Sequence, residues 1–187
     1  EILMLYDFPH PDITALKSAI QLDQQYKIEI NRISDVKKEI NNYDLVILYQ
    51  CDLSTSKLKK VQKNNIPIWY IIGQNSNVSK INSMQETVYF DGKKNDFNEQ
   101  YVSFNETFQK FNLEKGVLEM INNSPPLIMS YSYKINNDVK TVLNRQSKLS
   151  SKEKPICFFS RNSNECFLIS EGIWRWRFNN FLQKSNH

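Results

Sequence analysis

Three cysteines, Cys51, Cys157 and Cys166, and two histidines, His10 and His187, are the thiols and imidazoles of this 187-residue sequence. Cys-His nucleophilic chemistry requires a thiol within hydrogen-bond reach of a base that a third group orients. His187 is the final residue and makes a poor pre-organised base, which leaves Cys51 with His10. Cys51 follows a strand-like run and His10 lies in the first strand-to-helix loop, on the same side of the expected sheet, so the two can meet. No third residue evidently orients the histidine, and a small buried thiol near a loop histidine is the plainer reading. Asp7 and Asp52, each just past a strand-like run, offer a carboxylate pair for a hydrolase, although aspartates in such places commonly act as caps.

Other chemistries are excluded more directly. No two cysteines have C-x-x-C spacing and histidine is scarce, so neither a metal site of the usual zinc kind nor a cofactor is expected. The four glycines, Gly73, Gly92, Gly116 and Gly172, are too far apart to build either nucleotide-binding fingerprint. Cys157 and Cys166 flank a turn and can approach each other, though an odd thiol count leaves one unpaired. The net charge of +4, from 24 basic and 20 acidic residues, contains no basic block dense enough for a nucleic-acid footprint. No apolar stretch approaches the roughly 18 residues of a membrane span, so membrane association is expected only through segments outside this chain.

The elements that must position these groups alternate over the first 75 residues. Residues 1–8 form an apolar strand. His10-Pro11-Asp12 then starts a helix, Pro fixing φ and Asp12 accepting from the free amides of that helix, with Ile13, Leu16 and Ile20 on one face. Residues 26–33 alternate as a strand, and Ser34 can cap a short helix carrying Val36 and Ile40. Residues 43–49 are a near-continuous apolar run, as a strand covered on both faces requires. Ser54 or Thr55 starts a third helix with Leu58 and Val61 inward, and residues 67–72 form a fourth strand ended by Gly73. This β-α-β-α-β-α-β series implies a parallel sheet wound by right-handed crossovers. Ligands of such sheets bind beyond the carboxyl ends of the strands, here near Asp7, residues 50–52 and residues 73–75.

Beyond Ser76 the pattern weakens. Strand-like runs at 86–90 and 100–104 read as a β-hairpin or excursion, residues 113–121 as a helix, and 140–144, 155–160 and 165–169 as strands, the last two forming a hairpin. Residues 147–154 are a polar, low-complexity stretch. A final helix begins near Glu171 or Gly172 and runs through Phe181. At its start stands Ser170-Glu171-Gly172-Ile173-Trp174-Arg175-Trp176-Arg177, where Trp174 and Trp176 point about 200° apart and cannot share one core. One packs inside while the other stacks on an arginine or covers a loop; anchoring is the plainer role, a ligand or partner surface the alternative.

Several of these stretches occur together in one bacterial family: residues 7–13, 43–48 and 66–73, Pro125-Pro126-Leu127, and above all Glu171-Gly172-Ile173-Trp174-Arg175-Trp176-Arg177. The sequence resembles, over nearly its whole length, the class I glutamine amidotransferase-like domain of large uncharacterised cell-envelope proteins. It departs at Ser170, where that family carries Gly. The resemblance implies a single flavodoxin-like α/β domain spanning 1–187, within which the strand-like runs at 86–104 read as a β-hairpin insertion. It also implies a piece of a larger membrane-anchored protein, periplasmic in location, whose partners are the other domains of that protein, a small ligand or another envelope protein. The start at Glu1, inside a strand and without an initiator Met, reads as that of an excised piece.

Active amidotransferases of this fold carry Cys on a sharp strand-to-helix turn, with amide donors beside it for the oxyanion. The corresponding turn resembles Ile72-Gly73-Gln74-Asn75, so Gln74 or Asn75 stands in place of the nucleophile, and no histidine occurs between His10 and His187 to serve as the later base. The expected function is therefore a non-catalytic binding or scaffolding domain, a pseudoenzyme, with Asp7, His10, Cys51, Gln74, Asn75, Glu171, Trp174 and Arg175 as candidate binding residues. The alternative is a hydrolase using Cys51 with His10, or Asp7 with Asp52.

Overall fold

Strands that are apolar on both faces must be covered on both sides, and the first, third and fourth strands meet that condition with two separate cores. The computed structural model describes residues 1–36, 39–146 and 154–185, with side chains described except at 95–97 and 183–185. Its first part is β1 (Ile2–Tyr6), α1 (Pro11–Ile20), β2 (Ile28–Arg32), β3 (Leu45–Tyr49), α2 (Thr55–Lys63), β4 (Ile68–Ile71) and α3 (Val78–Met84). The second part is β5 (Val88–Gln100), β6 (Val102–Phe104), α4 (Lys115–Asn122), β7 (Leu127–Ile135), β8 (Val139–Arg145), β9 (Lys154–Ser160), β10 (Glu165–Leu168) and α5 (Ile173–Ser185).

An eight-stranded sheet runs β2-β1-β3-β4-β10-β9-β8-β6. From β2 to β10 the pairs are parallel; β9, β8 and β6 add an antiparallel wing. The order of the first four is that of doubly wound flavodoxin-like sheets, so the α/β fold with a mostly parallel sheet flanked by helices is the one expected from the sequence.

Period-two alternation sorts the side chains. Leu3, Leu5, Val46, Leu48, Tyr70 and Phe167 enter one core, closed by Leu58 and Val61 of α2, Val78 and Ile81 of α3, and Phe90, Met129, Tyr131 and Tyr133. Met4, Ile47, Tyr49, Ile71 and Leu168 enter the other, against Ile13 and Leu16 of α1, Ile121 of α4, and Ile173 and Trp176 of α5. Tyr70, Phe167 and Phe158 stack in sequence across three strands, with ring centroids 4.9 and 5.4 Å apart. Each such fully buried side chain contributes about 1.5–3 kcal/mol.

The second half differs from the sequence-based expectation in identifiable ways. Of the excursion expected at 86–104, residues 88–100 belong to a separate two-stranded ribbon, but 86–90 and 100–104 do not pair with each other. β5 pairs antiparallel with β7, across two register shifts, and β6 joins the wing beside β8. Gly92, at φ 79°, supplies the left-handed backbone that the first irregularity uses. β7 is not among the expected strands, although Leu127, Met129, Tyr131 and Tyr133 alternate at period two. α3 is equally unforeseen: Asn77 caps it by accepting from the Lys80 amide at 3.2 Å, and Val78, Ile81 and Met84 are buried. The short helix expected after Ser34 is replaced by two 3-10 turns, Ile33–Asp35 and Ile40–Asn42; residues 37–38 between them lie outside the described residues, as do 147–153 of the polar stretch and His187. The β9-β10 hairpin and α5 are as expected.

Candidate functional site

At the carboxyl end of β3 the chain leaves the sheet through Gln50, which adopts φ 51°, a left-handed backbone that a side chain with Cβ rarely takes. The kink breaks the alternation, so Tyr49 and Cys51, two positions apart, serve opposite cores. It also aims the Gln50 side chain, only 4% exposed, along the strand ends. Its Nε2 donates to Tyr49 Oη at 3.0 Å and to Glu171 Oε2, while its Oε1 accepts from the Asn75 amide at 2.8 Å. Glu171 Oε2 also accepts from the Gln74 amide at 3.1 Å.

The amides at 74 and 75 are thus already engaged by side chains of the same chain. The turn that presents them is braced from below: Gly73 N–H donates to Ser76 Oγ at 3.0 Å, and Tyr131 Oη donates to the carbonyls of Ser76 and Gln74 at 3.1 and 3.3 Å. Gly73 has no Cβ because none fits; one built there would overlap Glu171 Oε2 and Gln50 Nε2. The glycine lets the two side chains press against the turn.

A second set of bonds ties this network to α5. Asp12, wholly buried, accepts from the amides of Gly172 and Trp174, each at 2.8 Å, and from Tyr49 Oη at 3.0 Å. The sequence-based expectation that Asp12 caps its own helix is corrected: His10 is the cap of α1, its Nδ1 accepting the Asp12 amide at 3.2 Å, and the Asp12 carboxylate caps α5 instead. Pro11 at the first helical position has no amide to satisfy, which leaves the carboxylate of Asp12 free to serve the second helix. Tyr49 Oη lies 2.6 Å from His10 Nδ1, so the hydroxyl proton is shared between the imidazole and Asp12. Burial, then the neighbouring Asp12 charge, holds the Tyr49 hydroxyl far above its ordinary pKa, so it acts as a neutral donor.

The sequence candidates divide around this network. His10, Gln74, Asn75 and Glu171 belong to it, the two middle residues through their backbone amides while their side chains are exposed. Cys51 does not: its Sγ donates to Leu5 O at 3.2 Å within the opposite core, and burial with the charges of Asp52 and Asp7 pushes the thiol pKa well up. A neutral thiol on the other face from the Tyr49 and His10 pair is no activated nucleophile. Asp7 and Asp52 both lie near that thiol, and Asp52 forms an ion pair with Lys80 at 3.0 Å.

Arg175 leaves the network for Glu99, with Nη1 to Oε1 at 2.9 Å, while its Nη2 is buried without a hydrogen-bond partner. Trp176 packs inward and donates to Pro125 O at 2.7 Å; Trp174 faces outward, 38% exposed. Cys157 and Cys166 are free, and contact between their thiols together with burial raises the pKa of Cys166. Among the described residues no group of three or more His, Cys, Asp or Glu is gathered to hold a metal ion, and no helix is long and apolar enough to cross a membrane. Sequence reasoning placed Gln50 in a strand-end loop without giving it a role, and passed over Tyr49 and the true role of Asp12. Gln50, polar directly after an apolar strand, was the available signal.

No protein-family model matches the chain, and no curated protein matches it. Solved structures do. The exo-beta-1,4-mannosidase Op5Man5 of Opitutaceae bacterium strain TAV5 superposes with a TM-score of 0.57 at 6% identity, covering 98% of this chain and 33% of that one. A GMP synthase-type protein of Thermoplasma acidophilum gives 0.49 at 16% identity, covering 98% and 94%. The CTPS glutaminase domain of Trypanosoma brucei, with bound acivicin, gives 0.45 at 9% identity, covering 91% and 85%. Identities this low speak to the fold alone, and the chain spans about a third of the mannosidase.

Proposed function

We propose that this chain is a non-catalytic binding or scaffolding domain of glutamine amidotransferase-like fold, working as part of a larger bacterial envelope protein on its periplasmic side. The observation that carries the reading is the state of the turn at 73–75. A glutaminase-type site would need a nucleophile there and free amides to receive an oxyanion. Here the positions hold Gln74 and Asn75, and both amides are taken by Glu171 and Gln50. Nor do these residues have the strained backbone of a nucleophile elbow; among the described residues the positive φ values outside glycine are at Gln50 and Asn65.

The envelope location and the partners within the larger protein follow from the family resemblance of the sequence. The hydrolase alternative draws no support from the Cys51 thiol, which is buried, protonated and bonded to a backbone carbonyl. The test is a pair of measurements on the full-length protein. Glutamine and ester hydrolysis should show no turnover dependent on Cys51, read by Cys51→Ala. Substitution of Glu171 or Arg175 by Ala should weaken assembly or ligand affinity; unchanged assembly and affinity would overturn the binding role, and Cys51-dependent turnover the non-catalytic one.

A further inference from the structure

Three cations whose side chains have no ion-pair or hydrogen-bond partner among the described residues line one recess at the edge of the antiparallel wing. Lys110 comes from the loop after β6, Lys140 from the start of β8, and Arg161 from the position directly after β9. The recess holds about 480 Å³, within the range of roughly 300–1,000 Å³ typical of small-molecule sites. Because β9 runs antiparallel to β10 and β10 parallel to β4, Arg161 lies at the amino ends of the parallel strands, across the sheet from the turn at 73–75.

The walls are built by the chain itself. Asn105 Nδ2 donates to Thr141 O at 3.0 Å, and its Oδ1 accepts from the Thr107 amide at 3.2 Å and hydroxyl at 2.8 Å, so one side chain shapes the loop and ties it to β8. Phe108, only 6% exposed, stacks on Phe159 at 6.1 Å, and the Lys110 ammonium sits over the same Phe159 ring at 4.9 Å. The Arg161 amide donates to Asp138 O at 3.1 Å and fixes the other rim. Among the described residues no carboxylate lines the recess; Glu106 and Asp138, the acids adjacent in sequence, are exposed and outside it. Like charges gathered without a counter-charge repel one another, and an anion held between them removes that cost.

We infer that this recess binds the phosphate group of a small soluble phosphate ester, with Lys110, Lys140 and Arg161 meeting its charge and Thr107 and Thr141 lining the space for its polar remainder. A phosphate monoester carries up to two charges on three outer oxygens, which three cations from separate segments can share; a carboxylate offers two oxygens and one charge. A nucleic acid would need a basic track continuing past the recess, and the sequence has no such block. The inference deepens the reading of the domain as a binding module but uses none of the residues of the Gln50 and Glu171 network. Cys51-dependent turnover would remove that reading and leave this titration untouched, and failure of the titration leaves the Glu171 and Arg175 tests standing.

The probe is glycerol 3-phosphate, titrated into the isotope-labelled chain with glycerol as the neutral control. Backbone amide shifts should move at 105–110, 139–141 and 161, saturate with glycerol 3-phosphate but not with glycerol, and weaken as salt is added. Arg161→Gln and Lys140→Gln should each lower the affinity about fivefold. Lys60→Gln, which removes a cation of α2 paired with Glu39, should leave it unchanged, and a thermal melt of each variant shows that it is folded. Absence of shifts, shifts gathered elsewhere, an equal loss with Lys60→Gln, or sedimentation with phosphatidylglycerol vesicles without binding of glycerol 3-phosphate would each overturn it.

Discussion

The carboxylate of Asp12 accepts the backbone amide of Trp174 at 2.8 Å across 162 residues of sequence. With the Gly172 amide at the same distance, one acid near the start of α1 satisfies the open end of α5 and anchors the Trp-Arg-Trp-Arg segment to the first crossover. Replacing it orphans two buried amides at once, while the Tyr49 hydroxyl keeps His10 Nδ1 as an acceptor. Asp12→Ala should cost about 3 kcal/mol in urea denaturation, because each orphaned buried donor costs roughly 1–3 kcal/mol and relaxation recovers part. Asp12→Asn retains one acceptor and should cost about half as much.

Gly73, Gln50 and Glu171 form a tight three-way contact. Gly73→Ala drives a methyl group into both side chains and should destabilise by about 2–3 kcal/mol, the upper part of the usual range for overpacking. Combined with Glu171→Ala, the total cost should be smaller than the sum of the two single ones, since one of the two clashes has been removed and Gln50 gains room to shift. Additive losses in a double-mutant cycle would show that Glu171 does not occupy the space above Gly73.

The Cys51 thiol is raised above its ordinary value by burial first and by Asp52 and Asp7 second. Below the unfolded-state value of about 8.5 both states hold the proton; above it the unfolded state loses the proton first, so stability falls as pH rises. Cys51→Ala should flatten the stability profile above that pH. Iodoacetamide at neutral pH should label Cys51 only after urea unfolding, and rapid native labelling would count against the buried thiol.

Glu165 is likewise raised, chiefly by burial, against hydrogen bonds from Ser163 and Thr87 and the nearby Tyr70 hydroxyl that lower it. Its contribution to stability is present below the unfolded carboxyl pKa of about 4.3 and is lost as pH rises through the higher folded value. Glu165→Gln should therefore raise the melting temperature more at neutral pH than at pH 4, measured by thermal denaturation. An equal shift at both pH values would refute the assignment.

Apolar run length and period made the parallel half of the fold readable: β1, α1, β2, β3, α2 and β4 each carry a local signal, as do the hairpin of β9 and β10 and the start of α5. β7 and α3 also carried local signals, alternation in one and an Asn77 cap in the other, but lay where polar residues blurred the pattern. Pairing was beyond local reading. Whether 88–90 meets 100–104 or 133–135 depends on which partner completes the core over α2 and α3, and Phe90, Tyr131 and Tyr133 decide it by packing together.

The turn at 73–75 shows the same division most plainly. By itself the sequence determined that this turn lacks a nucleophile and that no second histidine stands near it among residues 11–186. Only the tertiary structure decided what fills the space. Gln50 reaches it because one left-handed residue redirects a side chain, and Glu171 reaches it because α5 is held by Asp12. Those are contacts between residues as many as 162 positions apart, set by how helices and strands pack, and no local pattern encodes them.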